Sequence, residues 1–403
     1  MNLKEALKRY FGYDSFRENQ EDVIKSILSG RDTVLIAPTG LGKSICFQLP
    51  AILSDGVTIV ISPLISLMKD QADGLNKMGI GAAFINSSIT CAAEKRAINR
   101  KLHEGTIKIL YVAPERLNNH IFMTFIKSLK VSILAVDEAH CISQWGHQFR
   151  PSYHKINQLR KIFPMVPCMA LTATATLTVR DDIIKQLEMK DPVIFQSSFD
   201  RTNLYISVVK AFDKHKQLID IMGQNKHDGS TIIYCISREE SERIANTLTE
   251  SGFYAQAYHA GIKSGERMQI QDDFISGECK TIVATTAFGM GIDKPDVRRV
   301  IHADLSKTME NYYQEIGRGG RDGKHTKCIM IWDRRDVSRW EFLIRITTEN
   351  KEGVVNEDER KRQLDMLKNV VIYCTTDECR RKQILAYFQE DHPGNCRKCD
   401  VCL

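Results

Sequence analysis

Apolar residues fall along this chain in short, β-branched runs separated by amphipathic stretches, starting at residue 33. Runs at 33–36, 57–62, 107–112, 131–136 and 168–172 are apolar almost throughout, with no alternation. That pattern predicts parallel strands buried on both faces, since a strand with one wet face would alternate. The rhythm restarts after about residue 205 with runs at 231–235, 281–284, 300–303 and 328–332. Strands alternating with helical stretches make α/β units, and two sets of strands predict two such units in tandem. Their joint is expected at 197–205, and the second should end at 336–340. A third segment has another character. Leu364, Leu367, Val370 and Val371 recur at helical spacing within 359–373, and 379–388 is a second helix candidate. The expected domains are therefore 1–205, 206–340 and 341–403.

Length agrees with this division, because 403 residues exceed what one compact core serves. A chain that is 43% hydrophobic and 26% charged has the composition of an ordinary globular protein. The net charge of +6 leans toward an anionic partner but falls short of a dedicated nucleic-acid binder. Its distribution says more: residues 341–403 carry 11 Lys/Arg against 12 Asp/Glu, leaving 45 against 38 before them. Any electrostatic grip on phosphates is expected in that larger portion. The N-terminus has no long apolar stretch, and no run of about 18 apolar residues occurs, so neither a signal peptide nor a membrane span is expected. Seven of the twelve cysteines sit in apolar segments and read as reduced core thiols of an intracellular protein. The other five crowd into 374–402.

The strand ends carry the chemistry. Directly after 33–36 comes Ala37-Pro-Thr39-Gly40-Leu-Gly42-Lys43-Ser44. Glycines there let backbone N–H groups turn inward around phosphate, Lys43 can reach the β- and γ-phosphates of ATP, and Ser44 can offer its hydroxyl to Mg²⁺. Ala37 departs from the general phosphate-loop pattern, which has glycine at that position. The run 131–136 ends in Asp137-Glu138, one carboxylate to hold Mg²⁺ and one to polarise a water. Either motif alone could be a turn or a solvated strand end; together they predict an ATPase. In the second unit, Gln314-Glu-Ile-Gly-Arg318-Gly-Gly-Arg321 sets two guanidiniums among glycines, where they could approach a triphosphate or form a basic surface loop.

With those motifs, the order of APTGLGKS, DEAH (137–140), TATAT (172–176), TTAFGMGID (285–293) and QEIGRGGRDG resembles that of superfamily 2 helicases. Within that superfamily the chain resembles the RecQ family, through FGYDSFRENQ (11–20) and CISQWGHQFRPSY (141–153). The resemblance implies two tandem RecA-like P-loop domains with parallel sheets and a small helical zinc-binding subdomain. It also implies an adenine contact by Tyr13, Arg17 and Gln20, with a core position as the alternative for Tyr13. His140 completes the DEAH motif, while Asp293 and Gln314 belong to motifs that face the nucleotide. Gln144, Trp145, His147, Phe149 and Arg150 match the family's aromatic-rich loop, which links DNA binding to hydrolysis. Aromatic faces and a cation there suit bases and phosphate, and a core aromatic pair is the alternative. Family members commonly have alanine at the position of Gly319, and many continue into a winged-helix domain. The end at Leu403 reads either as a truncation or as a minimal member.

Cys396, Cys399 and Cys402 are spaced to share one metal, and four thiolates suit tetrahedral Zn²⁺. The resemblance assigns the fourth ligand to Cys379 rather than Cys374; free thiols and, behind them, an iron–sulfur cluster are the alternatives. The expected protein is thus an ATP-dependent 3′→5′ DNA helicase with ATP, Mg²⁺ and Zn²⁺. It should act as a monomer on single-stranded DNA and tailed duplexes, in the nucleoid if bacterial and the nucleus if eukaryotic. An RNA helicase and an ATP-regulated DNA clamp are the competing expectations.

Overall fold

A computed structural model describes residues 2–85, 92–224, 229–286, 288, 294–349 and 355–403. They form two compact units, Met1–Phe199 and Asp200–Leu403. Each is built on one parallel sheet, as the uninterrupted apolar runs predict.

The first sheet has seven strands: Thr33–Ile36 (β1), Val57–Ile61 (β2), Ala82–Ile85 (β3), Ile109–Val112 (β4), Val131–Val136 (β5), Cys168–Thr172 (β6) and Val193–Gln196 (β7). Their order is β3-β4-β2-β5-β6-β1-β7. Strands β1, β2, β4 and β6 are buried at every position. Burying one Val, Leu or Ile side chain fully is worth about 1.5–3 kcal/mol, so these runs hold the unit together. Asp32 anchors the start of β1. Its carboxylate accepts from Cys168 N at 2.8 Å, Lys190 N at 2.9 Å and Arg160 Nη2 at 2.7 Å, which compensates a buried charge. Because the strands are parallel, β1, β5 and β6 all end at one edge of the sheet, with β6 between the other two. Binding crevices in open α/β sheets form outside such strand ends.

The second sheet has six strands: Leu204–Lys210 (β8), Ser230–Tyr234 (β9), Gln256–Tyr258 (β10), Thr281–Ala284 (β11), Val297–His302 (β12) and Thr326–Trp332 (β13). The order is β10-β11-β9-β12-β13-β8. Lys214 Nζ joins Asp304 at 2.6 Å and Asp336 at 2.7 Å, tying the strand-end loops to the helix Arg334–Thr348. That helix runs through position 341, so residues 341–403 continue the second unit. Helices Glu357–Thr375 and Arg380–Tyr387 follow, covering both expected helical segments. The cysteine-rich tail then lies along β8: Ile206 N donates to Lys398 O at 3.1 Å, and Asp400 N to Ile206 O at 3.0 Å.

Strands β3, β7, β8 and β10 were not expected from the sequence, and each is an edge strand. Beyond the first two residues of β3, they are mostly half-exposed, so their runs lack the apolar continuity of central strands. No helix among the described residues is long and apolar enough to cross a membrane.

Candidate nucleotide site, aromatic loop and cysteine cluster

The phosphate loop hangs between β1 and the helix Ile45–Leu53, whose residues Cys46, Phe47, Leu49 and Ala51 are buried. Gly40 and Gly42 take φ of +91° and +76°, where a side chain would strain the backbone. Ala37 is compatible with its position because it is not a left-handed one. Its N–H donates to Thr172 O at 3.1 Å, extending the β1–β6 ladder, and its methyl group joins the core. Lys43 Nζ donates to Ala37 O at 2.7 Å and Pro38 O at 3.3 Å, so the ammonium lies over the loop. Ser44 Oγ accepts from Gln71 Nε2 at 3.5 Å. Thr39 is half-buried in the same loop.

Two of the three adenine-motif residues hold this loop from the other side. Gln20 is buried; its Nε2 donates to Leu41 O at 3.0 Å and Gly42 O at 3.1 Å, while its Oε1 accepts from Arg17 N at 2.8 Å. Arg17 Nη1 donates to Gly40 O. Tyr13 stands apart at 53% exposed, which removes the core alternative for it.

Asp137 continues β5, its N–H donating to Ile61 O at 2.9 Å. Burial and the adjacent Glu138 carboxylate push its acid up to about 7, against the pull of Lys43. A buried carboxylate so destabilised as an anion gains from a cation. Glu138 adopts φ +46°, ψ +47°, a left-handed conformation that costs a non-glycine residue on the order of 1–3 kcal/mol. The turn aims its side chain back into the site, where Oε2 is buried with no hydrogen-bond partner. A free carboxylate oxygen beside a buried aspartate at the end of β5 fits Mg²⁺ and an activated water.

His140 is fully buried, and burial lowers its pKa, so it is held neutral. The Thr172 hydroxyl donates to Thr174 O at 3.1 Å, which leaves Thr172 Oγ1 to accept from His140 Nδ1 at 2.9 Å. Glu138 Oε2 lies 3.4 Å from the same Nδ1. On its other side the His140 ring stacks on His147, centroids 4.6 Å apart and planes 15° from parallel. The aromatic loop therefore joins the DEAH motif by direct ring contact. Trp145 is 55% exposed, so the core alternative fails for it, and Gln144 is exposed beside it. Phe149 is half-buried, edge-on to His154 at 5.3 Å. Arg150 Nη1 donates to Pro63 O at 3.0 Å, and Tyr153 OH to Asp137 O at 3.2 Å. Sequence reasoning gave Thr172 and Tyr153 no role; both lie inside recognised motifs, but only the fold brings them to His140 and Asp137.

In the second unit, Gln314 and Arg318 are buried and Arg321 is half-buried. Burial pushes the Tyr234 hydroxyl up, and the Arg318 charge beside it pulls the other way. Gly320 has φ +55°. At Gly319, a Cβ would fall 2.5 Å from Thr326 Cγ2, so a threonine methyl fills the space that alanine would need. Asp293 and most of 285–293 lie outside the described residues.

The Sγ atoms of Cys379, Cys396, Cys399 and Cys402 lie within 4.8 Å of one another. Four thiolates about 2.3 Å from one zinc stand about 3.8 Å apart, so the set fits that ion. Burial raises the Cys379 thiol, but N–H groups of Lys382 and Cys396 and the neighbouring thiols bring it down to about 7. Cys374 packs elsewhere, 3.4 Å from Met330 Sδ.

Three family profiles match in chain order: DEAD/DEAH box helicase over 17–183, helicase conserved C-terminal domain over 213–323 and RecQ zinc-binding over 334–403. The chain is 44% identical over 402 residues to the ATP-dependent DNA helicase RecQ of Pasteurella multocida, spanning 99% of this chain and 62% of that protein. It is 40% identical over 406 residues to a protein of Acanthamoeba polyphaga mimivirus whose name marks it provisionally as an ATP-dependent RNA helicase, spanning 99% of this chain and 72% of that one. The solved structure of S. cerevisiae Dbp5 bound to RNA and ADP BeF3 superposes with TM-score 0.67 over 91% of this chain and 97% of that one, at 18% identity, a likeness of fold alone. The chain thus spans a little under two thirds of the bacterial relative's length. With the phosphate loop, the DEAH motif and the four cysteines all within matched regions, the chain belongs to the RecQ family of DEAD/DEAH box helicases.

Proposed function

We propose that the chain is an ATP-dependent DNA helicase that moves 3′→5′ along one strand and separates duplexes ahead of it. One observation carries the reading beyond a plain ATPase: the stacked imidazoles of His140 and His147 connect half-buried Glu138 to the loop that exposes Trp145. Lys43 and the N–H groups of residues 39–44 bind the phosphates. Ser44 Oγ and Asp137 hold Mg²⁺, which when bound neutralises phosphate charge and orients the γ-phosphate. Glu138 takes the proton of the attacking water. Tyr13, Arg17 and Gln20 receive adenine; Gln314 and Asp293 complete the nucleotide contacts. Arg321, with Arg318 behind it, stabilises charge as the γ-phosphate leaves. Trp145 and Phe149 stack on bases, helped by Gln144, His147 and Arg150. A zinc held by the four cysteines is structural. The protein works inside the cell as a monomer on single-stranded DNA and tailed duplexes.

The test is gel-based unwinding of 3′-tailed and 5′-tailed DNA duplexes with ATP and with a non-hydrolysable analogue. Only the 3′-tailed duplex should open, and only with ATP. Glu138→Gln should still bind ATP while turnover falls on the order of 10²–10⁴-fold. Binding without unwinding would favour the clamp. The mimivirus relative keeps RNA in view, and equal ATPase stimulation by single-stranded RNA would move the substrate assignment to RNA.

A further inference from the structure

The first residues of the second unit, Asp200-Arg201-Thr202-Asn203, have no role so far, yet their side chains converge on the arginine-bearing turn. Arg201 Nη2 donates to Gly319 O at 3.0 Å and Gly320 O at 3.3 Å, and Nη1 to Gly317 O at 3.4 Å. Arg201 Nε donates to Asn203 Oδ1 at 3.4 Å, which fixes the amide. Asn203 Nδ2 then donates to Gly320 O and Lys324 O, both at 2.9 Å. The Asn203 carbonyl accepts from Thr326 N at 3.1 Å, where β13 begins. Glycine suits position 320, where φ is +55° and a Cβ would lie 2.5 Å from the backbone Lys324 O as well as 2.4 Å from Asn203 Nδ2.

The bonded carbonyls belong to residues 317, 319 and 320, which bracket Arg318 and lead into Arg321. A turn rich in glycine has more backbone freedom to lose than any other. A planar guanidinium with a fixed fork of donors, backed by an amide, is suited to remove that freedom. The same stub is gripped from its other side by the helix that follows Cys379. Arg381 pairs with Asp200, and its Nη2 donates to Leu204 O at 2.7 Å.

We propose that Arg201 and Asn203 are positioning residues for ATP turnover: they hold the 317–323 turn by its carbonyls and so set where Arg318 and Arg321 stand. The proposal rests on the role given to those arginines above. It makes the start of the second unit a mechanical neighbour of the turn, although the two are more than a hundred positions apart in the chain.

The experiment measures ATPase kcat and KM with saturating single-stranded oligo-dT, together with melting temperature, on the full chain. Arg201→Gln and Asn203→Ala should lower kcat on the order of 10–10²-fold, the scale of a small misplacement of reacting groups. KM for ATP should stay within about twofold, because loss confined to the transition state leaves ground-state binding intact. Arg201→Lys keeps the charge, so it should melt like the parent and still lose kcat, because one ammonium cannot span three carbonyls. The double variant Arg201→Gln/Arg321→Ala should lose less than the product of the two single losses, because part of the Arg201 effect acts through Arg321. A parental kcat in Arg201→Lys, or losses that multiply in the double variant, would overturn the proposal. A parental rate in Arg321→Ala would overturn the arginine assignment itself, and is told apart by that single variant.

Discussion

A methyl group added at Gly319 would meet Thr326 Cγ2 at 2.5 Å, and Thr326 Oγ1 is committed to Val297 O at 3.0 Å. An alanine therefore cannot simply be placed there. Gly319→Ala should cost about 1–3 kcal/mol by overpacking. Thr326→Ser in the same chain should recover most of that loss, since it removes the methyl and keeps the hydroxyl. Melting of the two variants side by side checks this, and equal destabilisation would mean the strain lies elsewhere. Trp145 poses the opposite case. Being 55% exposed, it contributes little to the core, so Trp145→Ala should melt like the parent and keep basal ATPase. Single-strand affinity should weaken by about 1–3 kcal/mol, and DNA stimulation should fall further than saturating DNA can restore. A stable variant with full stimulation would remove Trp145 from the coupling path.

Among the elements, β8 depends most on a distant partner. It is an edge strand, and edge strands leave backbone groups open to unwanted pairing. The cysteine-rich tail closes this one: Ile206 N donates to Lys398 O, and Val208 N donates to Asp400 Oδ2 at 3.1 Å. Asp400 is held in turn by Arg380 Nε at 3.0 Å. Metal in the four-cysteine site should therefore protect a strand that contains none of its ligands. Zinc removal, or Cys396→Ser, should speed amide hydrogen exchange along β8 and lower the melting temperature. Exchange at β8 that ignores the metal would contradict this coupling. The four edge strands also mark where sequence patterning stops working. In β7, half-buried and exposed positions share only four residues, none of them buried; β10 has only three, all half-exposed. A run that short carries no period to detect.

At the scale of the molecule, the two units have separate cores, so heating should give two transitions rather than one. Chelation without nucleotide should lower only the transition of 200–403. Mg²⁺ with a non-hydrolysable ATP analogue at about 100 times its Kd should stabilise the unit holding the phosphate loop by about 2.7 kcal/mol, and Lys43→Ala should abolish that shift. Calorimetry that resolves one merged transition, moved equally by chelator and nucleotide, would mean the units do not unfold separately. What could be read from the chain alone is what is local in it. Central strands announce themselves by continuous apolar runs, the phosphate loop by glycines beside a lysine, and the metal cluster by cysteines three positions apart. The fold alone decided which residues meet across distance. His147 reaches His140 because the aromatic loop folds back on the DEAH turn, and the orphaned oxygen of Glu138 follows from a left-handed backbone. Val208 meets Asp400 from 192 positions away, and Arg201 meets Gly317 from 116. No periodicity encodes such pairs, because they arise only after both sheets have closed and their edges need partners.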